Sequence, residues 1–536
     1  MKYSESRTYR MRVPWRSTTG ILFALLFVAG PAWGRPGAGE PGSLSPRASR
    51  PAAAVARRHE ASASPAHATP SPSSFQKPRT KRASWWVDGD LRVLTQGWHF
   101  FSPRVRREST YTFAGNRARF RLHYRAHDVA GLAEFQDTQM LGLPTDAIGP
   151  LPVGQLGVGA TYDAYALRSS VNSAGLRQGF LKIGDPKSAQ VQVGRFDYSS
   201  EGEVSTGDKT LDALKNQRLK ERLIGPFGYS DFGRSFDGLR LDVDSSTDHF
   251  TGFVAHPTQG GFEPHFGTEL SQILTSEVSW TFKRSPRLPD SEGEVFWVHY
   301  DDSRPVQIVD NRPVKLRGTV YGQGGIGIDT YGFHFITKLG RNGDGLVWFA
   351  HQSGKWGNLT QDANAYDVEL GYHFSHEAPE PWLRVGYSAY SGDGNPSDGT
   401  HGTFFAPLPT ARQFCRFPFY TMANLDDVFA SLQLKPTPKT AVRLEVHGLS
   451  LDSPNDLWYS GAGATQASGT FGYTGRPSGG HRGLATVYDI EVDQHLDRDS
   501  SLGLYYGVAS GGPVVKTNFG GSSASAWMLE YDLKIR

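Results

Sequence analysis

From Trp85 to the C-terminus the hydrophobic and polar positions alternate with a period of two. In 365–375, Tyr366, Val368, Leu370, Tyr372 and Phe374 fall on one face, and Asp367, Glu369, Gly371, His373 and Ser375 on the other. Residues 487–494 set Tyr488, Ile490 and Val492 against Asp489, Glu491 and Asp493. The last segment sets Trp527, Leu529, Tyr531, Leu533 and Ile535 against Met528, Glu530, Asp532 and Lys534. The same rhythm runs through 117–126, 277–283, 382–390, 428–435 and 441–447. Alternation alone also suits a soluble sandwich. A heavily charged face opposite an apolar face with aromatics near its ends is what lipid outside and water inside require. The pattern predicts an all-β chain: one large transmembrane antiparallel β-barrel of the bacterial outer membrane. Some 450 residues, at about 25 per strand and connection, give roughly eighteen strands.

Breaks in the pattern place the long connections at 141–160, 198–235, 255–272, 391–427 and 451–483. Within the second, 210–222 predicts a short helix. In Ser391–Thr410, SGDGNPSDGTHGTFFAPLPT, a strand ends on Gly392, Gly394 and Pro396, which supply positive φ, a fixed φ and a missing donor. Its Asp393, Asn395 and Asp398 lack the spacing and distal Glu of a Ca²⁺ loop and read as turn residues.

Composition agrees with the pattern: 62 Gly, 31 Phe, 22 Tyr and 12 Trp stand beside one Cys in 536 residues. A lone thiol, Cys415, makes no intramolecular disulfide. The N-terminus predicts a signal peptide over 1–34, with a basic start, an apolar core over Ile21–Ala29 and small residues at Ala32-Trp-Gly34. Residues 35–84 are Ala, Pro, Ser and Arg and predict a disordered periplasmic tether, leaving the barrel to 85–536. The first 84 residues hold 14 basic and 3 acidic side chains, so the remainder has 42 against 50, a formal net of −8. The basic balance of the whole chain therefore belongs to the leader and tether, and nucleic-acid binding loses its support.

Several pieces resemble the alginate-export family of outer-membrane barrels. They are the 391–410 stretch, Lys435-Pro-Thr-Pro438, Asp456-Leu-Trp-Tyr459, Arg222-Leu-Ile-Gly225 and the run from Gly233 to Leu241. The resemblance implies a barrel of this size with an electropositive, Arg-lined constriction for an anionic uronic-acid polymer. It carries over Arg195, Arg222, Arg234 and Arg240, which lie in the matching pieces. Independently, Arg117, Arg119, Arg121, His123 and Arg125 share one face of a strand, with no acidic residue among them. Facing lipid, such charges would each cost about 2–4 kcal/mol near the midplane, so they face the lumen. Parity adds Arg384 and Arg443 to that face. Guanidiniums in a narrow aqueous channel attract carboxylates and bind them bidentately.

The opposing reading is a charge-balanced lumen in which inward acids such as Asp90 and Glu134 neutralise these arginines. No cofactor motif and no catalytic constellation occurs; His299 with Asp301, and His373 with Glu369, are same-face neighbours on strands. The leading expectation is a non-enzymatic porin for an alginate-like polyuronate. Its expected partners are outer-membrane lipid, the barrel-assembly machinery and periplasmic or inner-membrane synthase components. A diffusion porin for small anionic solutes is the first alternative, and an outer-membrane enzyme or adhesion barrel the second.

Overall fold

The computed structural model describes residues 83–286, 288–304, 310–313, 325–461, 465 and 475–536. The signal peptide expected over 1–34 and nearly all of the tether expected over 35–84 lie outside these residues. Eighteen long strands form the wall. The first nine are β1 Ser84–His99, β2 Thr110–Ala126, β3 Val129–Leu141, β4 Ser170–Asp185, β5 Ala189–Phe196, β6 Phe236–Asp244, β7 Asp248–Pro257, β8 Ile273–Phe282 and β9 Ser291–Asp302. Then follow β10 Ile326–Leu339, β11 Gly343–Trp356, β12 Leu359–His373, β13 Trp382–Tyr390, β14 Leu425–Thr437 and β15 Thr440–Ser450. The last three are β16 Gly483–His495, β17 Ser500–Gly511 and β18 Ser523–Ile535. Each pairs antiparallel with its sequence neighbours, and β1 pairs antiparallel with β18 from Gly89↔Ile535 to His99↔Ser525. The sheet thus closes on itself and leaves no edge, the only way a sheet satisfies its backbone in hydrocarbon.

The period-two pattern sorts the faces as the sequence predicts. On β12 Val368 is 47% exposed while its neighbours Asp367 and Glu369 are at most 1% exposed. Phe120, Leu370, Val385, Val428, Leu504 and Leu529 continue an outward apolar band. That much exposed hydrocarbon on one surface marks the lipid contact of an outer-membrane protein. Aromatics crowd one rim: Trp85 packs on Tyr124 at 4.5 Å between ring centroids, Trp280 on Phe282 at 4.7 Å and Tyr372 on Phe374 at 5.2 Å. That rim also carries Ser84, Ile535 and tight turns such as 127–128, 340–342 and 438–439, which identifies it as periplasmic.

Long connections gather at the other end, and several fold into the lumen. Helix α1 (Val158–Ala166) and helix α2 (Lys209–Arg218) belong to them. The helix expected over 210–222 starts one residue earlier, where the Asp208 carboxylate caps the Thr210 and Leu211 amides, and it stops at Arg218. Beyond it the chain turns through Glu221 at φ 66°. Leu211, Leu214, Leu219, Ile224 and Phe227 are fully buried, so this segment is packed inside the barrel.

Replacing Val368 by Arg is expected to lower the unfolding free energy by about 2–4 kcal/mol, measured by denaturant titration in lipid vesicles. A change below about 1 kcal/mol would place this position away from the hydrocarbon.

Candidate functional site

The lumen is built from wall arginines and inward loops, with small cavities between them. Strand β2 turns Arg117, Arg119 and Arg121 inward, as the alternation requires, while Phe120 between them is exposed outside. The acids missing from β2 come from its neighbours in register. Arg121 binds Asp88 at 3.1 Å, Asp90, and Glu134 of β3 at 2.5 Å. Arg119 donates to Gln136 at 2.8 Å and lies 3.9 Å from Glu134. Arg117 lies 3.9 Å from Asp90 and reaches the Gly228 carbonyl at 3.4 Å. Arg125 stands at the periplasmic end, opposite Ser84.

The other sequence-selected arginines follow the same rule. Arg384 pairs with Asp344 and with Glu369 at 3.1 Å, Arg443 with Glu491 at 3.0 Å, and Arg240 with Asp242 at 2.8 Å. Arg222 pairs with Asp367 at 2.6 Å and lies over the Trp348 and Phe414 rings. Arg195 corrects the expectation. It shares a face with outward Val193 and pairs at 2.6 Å with Asp237, which shares a face with outward Leu239. Arg195 therefore sits on the outer side of the wall near the loop-bearing rim, and does not line the lumen. Its motif placed it in the right strand, but parity decides the face.

The motif pieces that lie far apart in sequence meet inside the barrel. Ile224 and Leu408 form a parallel bridge, with Gly225 N donating to Leu408 O at 2.8 Å and Leu408 N to Leu223 O at 2.9 Å. Arg234 clamps this junction: its guanidinium donates to the carbonyls of Gly225 at 2.7 Å, Leu408, and Pro409 at 3.0 Å. Burial pulls its pKa down to about 9, so it is still a cation at neutral pH. The Asp456 carboxylate accepts from Asp393 N at 2.9 Å and the Thr403 hydroxyl at 2.5 Å, while Trp458 donates to Phe419 O at 3.0 Å. His401 stacks on Trp356 at 4.5 Å, and burial lowers its pKa to about 3, so it is neutral. Asp393, Asn395 and Asp398 accept from the backbone of their own turns. Burial pushes the Cys415 thiol well up, which leaves it unreactive.

Helix α2 is pinned across the lumen by charge. Lys215 pairs with Glu292 of β9, Arg218 with Glu369 of β12 at 2.6 Å, and Gln217 exchanges hydrogen bonds with Gln433 of β14. On the opposite side lie two small cavities that share Val158, Tyr229 and Pro418. The inner one is bordered by β1, β16, β17 and β18 and includes Arg412, Glu491, Asp493 and Glu530; the outer one includes Arg476. These two arginines escaped the sequence reading because they lie in loops without alternation. Arg412 donates to the Arg416 carbonyl at 2.5 Å and lies 4.6 Å over the Tyr505 ring. Arg476 donates to the Val153 and Gln155 carbonyls and lies over Trp458. Burial lowers the Arg476 pKa to about 10, so it also stays charged. Neither has a carboxylate partner among the described residues.

Two outcomes are expected from this geometry. Arg121→Ser removes the shortest ion pair of Glu134, which is 1% exposed and keeps Arg119 at 3.9 Å and the Gln178 amide at 3.2 Å, and should cost about 1–3 kcal/mol of barrel stability, read as lost heat resistance on a detergent gel. The Asp393–Asp456 contact should respond to pH. Burial raises both carboxyls to about 6. A raised carboxyl binds its proton more tightly folded than unfolded, so the contribution is full below the unfolded pKa of about 4 and fades as pH rises through about 6. Hydrogen exchange of the Asp393 amide, corrected for intrinsic rates, should be slower at about pH 5 than at about pH 7.5. Asp393→Asn should weaken that difference.

Solved structures similar to the chain include OccK11 (OpdR) and OpdQ of Pseudomonas aeruginosa and OccAB4 of Acinetobacter baumannii. OccK11 is 11% identical, with 84% of this chain and 96% of that one covered at a TM-score of 0.49. OpdQ is 8% identical, with 84% and 97% covered at 0.49, and OccAB4 is 10% identical, with 85% and 99% covered at 0.46. Likeness of this order carries no argument about substrate, and the fold rests on the strand pairing above. No curated protein matches the chain. The family described as alginate export matches residues 102–528, nearly the whole of the closed barrel and its inward loops, and the chain belongs to that family of bacterial outer-membrane barrels.

Proposed function

We propose that the barrel passes an anionic polysaccharide, an alginate-like polyuronate, outward across the outer membrane without catalysis. Its working partners are then periplasmic or inner-membrane synthase components. One observation supports this reading beyond family membership. The wall arginines are neutralised by carboxylates, whereas Arg412 and Arg476, which border the two cavities, are held by carbonyls and aromatic faces and meet no carboxylate among the described residues. A cation kept in place without a carboxylate partner can exchange transient contacts with a passing carboxylate. The selectivity expected from the β2 arginine column thus moves to the loops.

A second reading is diffusion of small anionic solutes, which Arg412 and Arg476 would attract in the same way. Planar-bilayer conductance separates the two. Anion-selective current blocked by polyuronate supports polymer passage; current that polyuronate leaves untouched supports small-solute diffusion and sinks the polymer reading. Arg412→Ser with Arg476→Ser should reduce both anion preference and polymer block. The matched Lys435→Ser with Arg443→Ser pair should change them less. Equal loss from both pairs would show that overall lumen charge suffices.

A further inference from the structure

Behind α2, on the side away from the cavities, carboxylates outnumber the cations among the described residues. Glu203, in the connection leading to α2, meets Glu277 of β8 and Glu294 of β9, with one oxygen from each lying within 4.8 Å of the others. Glu277 and Glu294 are each 1% exposed. Buried carboxylates are ordinarily paired, because an isolated one pays a large desolvation cost. In this cluster both oxygens of Glu277, one of Glu294 and one of Glu203 are shielded from solvent and have no hydrogen-bond partner.

Several surrounding donors are already committed, while the His334 Nε2 and the Ser279 hydroxyl, two residues from Glu277 on the same face of β8, are buried without a hydrogen-bond partner among the described residues. Tyr198 gives its single hydroxyl proton to Glu203 at 3.0 Å, and Thr281 gives its own to Glu294 at 2.8 Å. Lys215 pairs with Glu292, and His334 bonds Glu201 at 3.0 Å. Arg240 and His249 are both taken up by Asp242, and His249 by Asp244 as well. Lys215, His334, Arg240 and His249 are thus each drawn to carboxylates outside the cluster. Glu277, which has neither a hydrogen bond nor an ion pair, points into the remaining cluster.

We propose that Glu203, Glu277 and Glu294 form a binding site for a divalent cation, and that the ion is Ca²⁺. Three carboxylates offer only hard, anionic oxygen donors, with no thiolate among them and the His334 Nδ1 engaged elsewhere. That donor set disfavours the softer transition metals. Carboxylates that bind through one or two oxygens suit the irregular shell of Ca²⁺ better than the strict octahedron of Mg²⁺. One such ion offsets two of the three negative charges. Because Glu203 belongs to the loop and Glu277 and Glu294 to the wall, the ion fastens the connection that carries α2 to the barrel. The position of the inward segment then depends on the cation.

Calcium titration of the full-length barrel in detergent, after treatment with a chelator, tests the assignment. The wild type is expected to take up one Ca²⁺ per barrel in a saturable way and to unfold several degrees higher when loaded. Glu277→Gln and Glu294→Gln keep side-chain volume and remove a ligand charge. Each should lose the uptake and the thermal shift, and each should be no less stable than chelated wild type, since repulsion is relieved. Glu377→Gln on an exposed periplasmic turn is the control and should change neither. Heat-dependent gel mobility reports whether each variant is assembled, and the wild-type titration is decisive even if one variant is not. Absence of saturable uptake by the wild type, or uptake that survives in both Gln variants, overturns the site. Tighter binding of Mg²⁺ than of Ca²⁺ overturns the choice of ion.

Discussion

Hydrocarbon offers no hydrogen bond to a peptide group, and the architecture of this protein follows from that constraint. The β1–β18 pairing closes the sheet and removes the last unpaired edge. Closure then forces every strand to divide its side chains between lipid and lumen. Apolar residues take the outside, and the charged residues of the strands are concentrated in one confined interior. Their mutual neutralisation there is an electrostatic necessity, because a lone charge away from bulk water is costly. Arg121, shared by Asp88, Asp90 and Glu134 from the two flanking strands, shows how register meets that need.

Charge balance in the wall is also what holds the loops inside. Helix α2 brings Lys215, Arg218 and, just beyond it, Arg222 to wall acids on β9 and β12. The junction of 223–225 with 408–410 is then locked by Arg234 through backbone carbonyls. A guanidinium suits this work because its planar fork donates in several directions at once. The loops thereby occupy one side of the lumen and leave the space beside β1 and β16–β18.

Three electrostatic environments coexist in the interior. Along the wall, opposite charges cancel pairwise. Beside the cavities, carbonyls and aromatic faces hold Arg412 and Arg476 without a carboxylate among the described residues. Behind α2, the excess is negative, where Glu277 faces Glu203 and Glu294. The first supports assembly, the second suits an anionic substrate, and the third suits a cation. A count of lumen charges would have averaged the three and missed the distinction.

The period-two alternation determined the fold class and the face on which Arg117, Arg119, Arg121, Arg384 and Arg443 lie, and the length of the alternating region set the barrel size. A two-residue period leaves only two faces, and lipid tolerates only one of them. It also placed the long connections, since Gly, Pro and Asn mark where pairing must stop. Sequence named Asp90 and Glu134 as inward acids that neutralise the β2 arginines, but not which arginine each one meets. Asp90 and Glu134 reach Arg121 through cross-strand register, a relation between segments that no single segment encodes. Arg195 shows the same limit: its motif named the strand, while the pairing with Asp237 on the outer face emerged only from the sheet. Arg412, Arg476 and the Glu203–Glu277–Glu294 cluster were decided by tertiary structure alone. Their function depends on what surrounds them after loops without periodicity fold into the barrel, and burial of that kind leaves no local pattern in the chain.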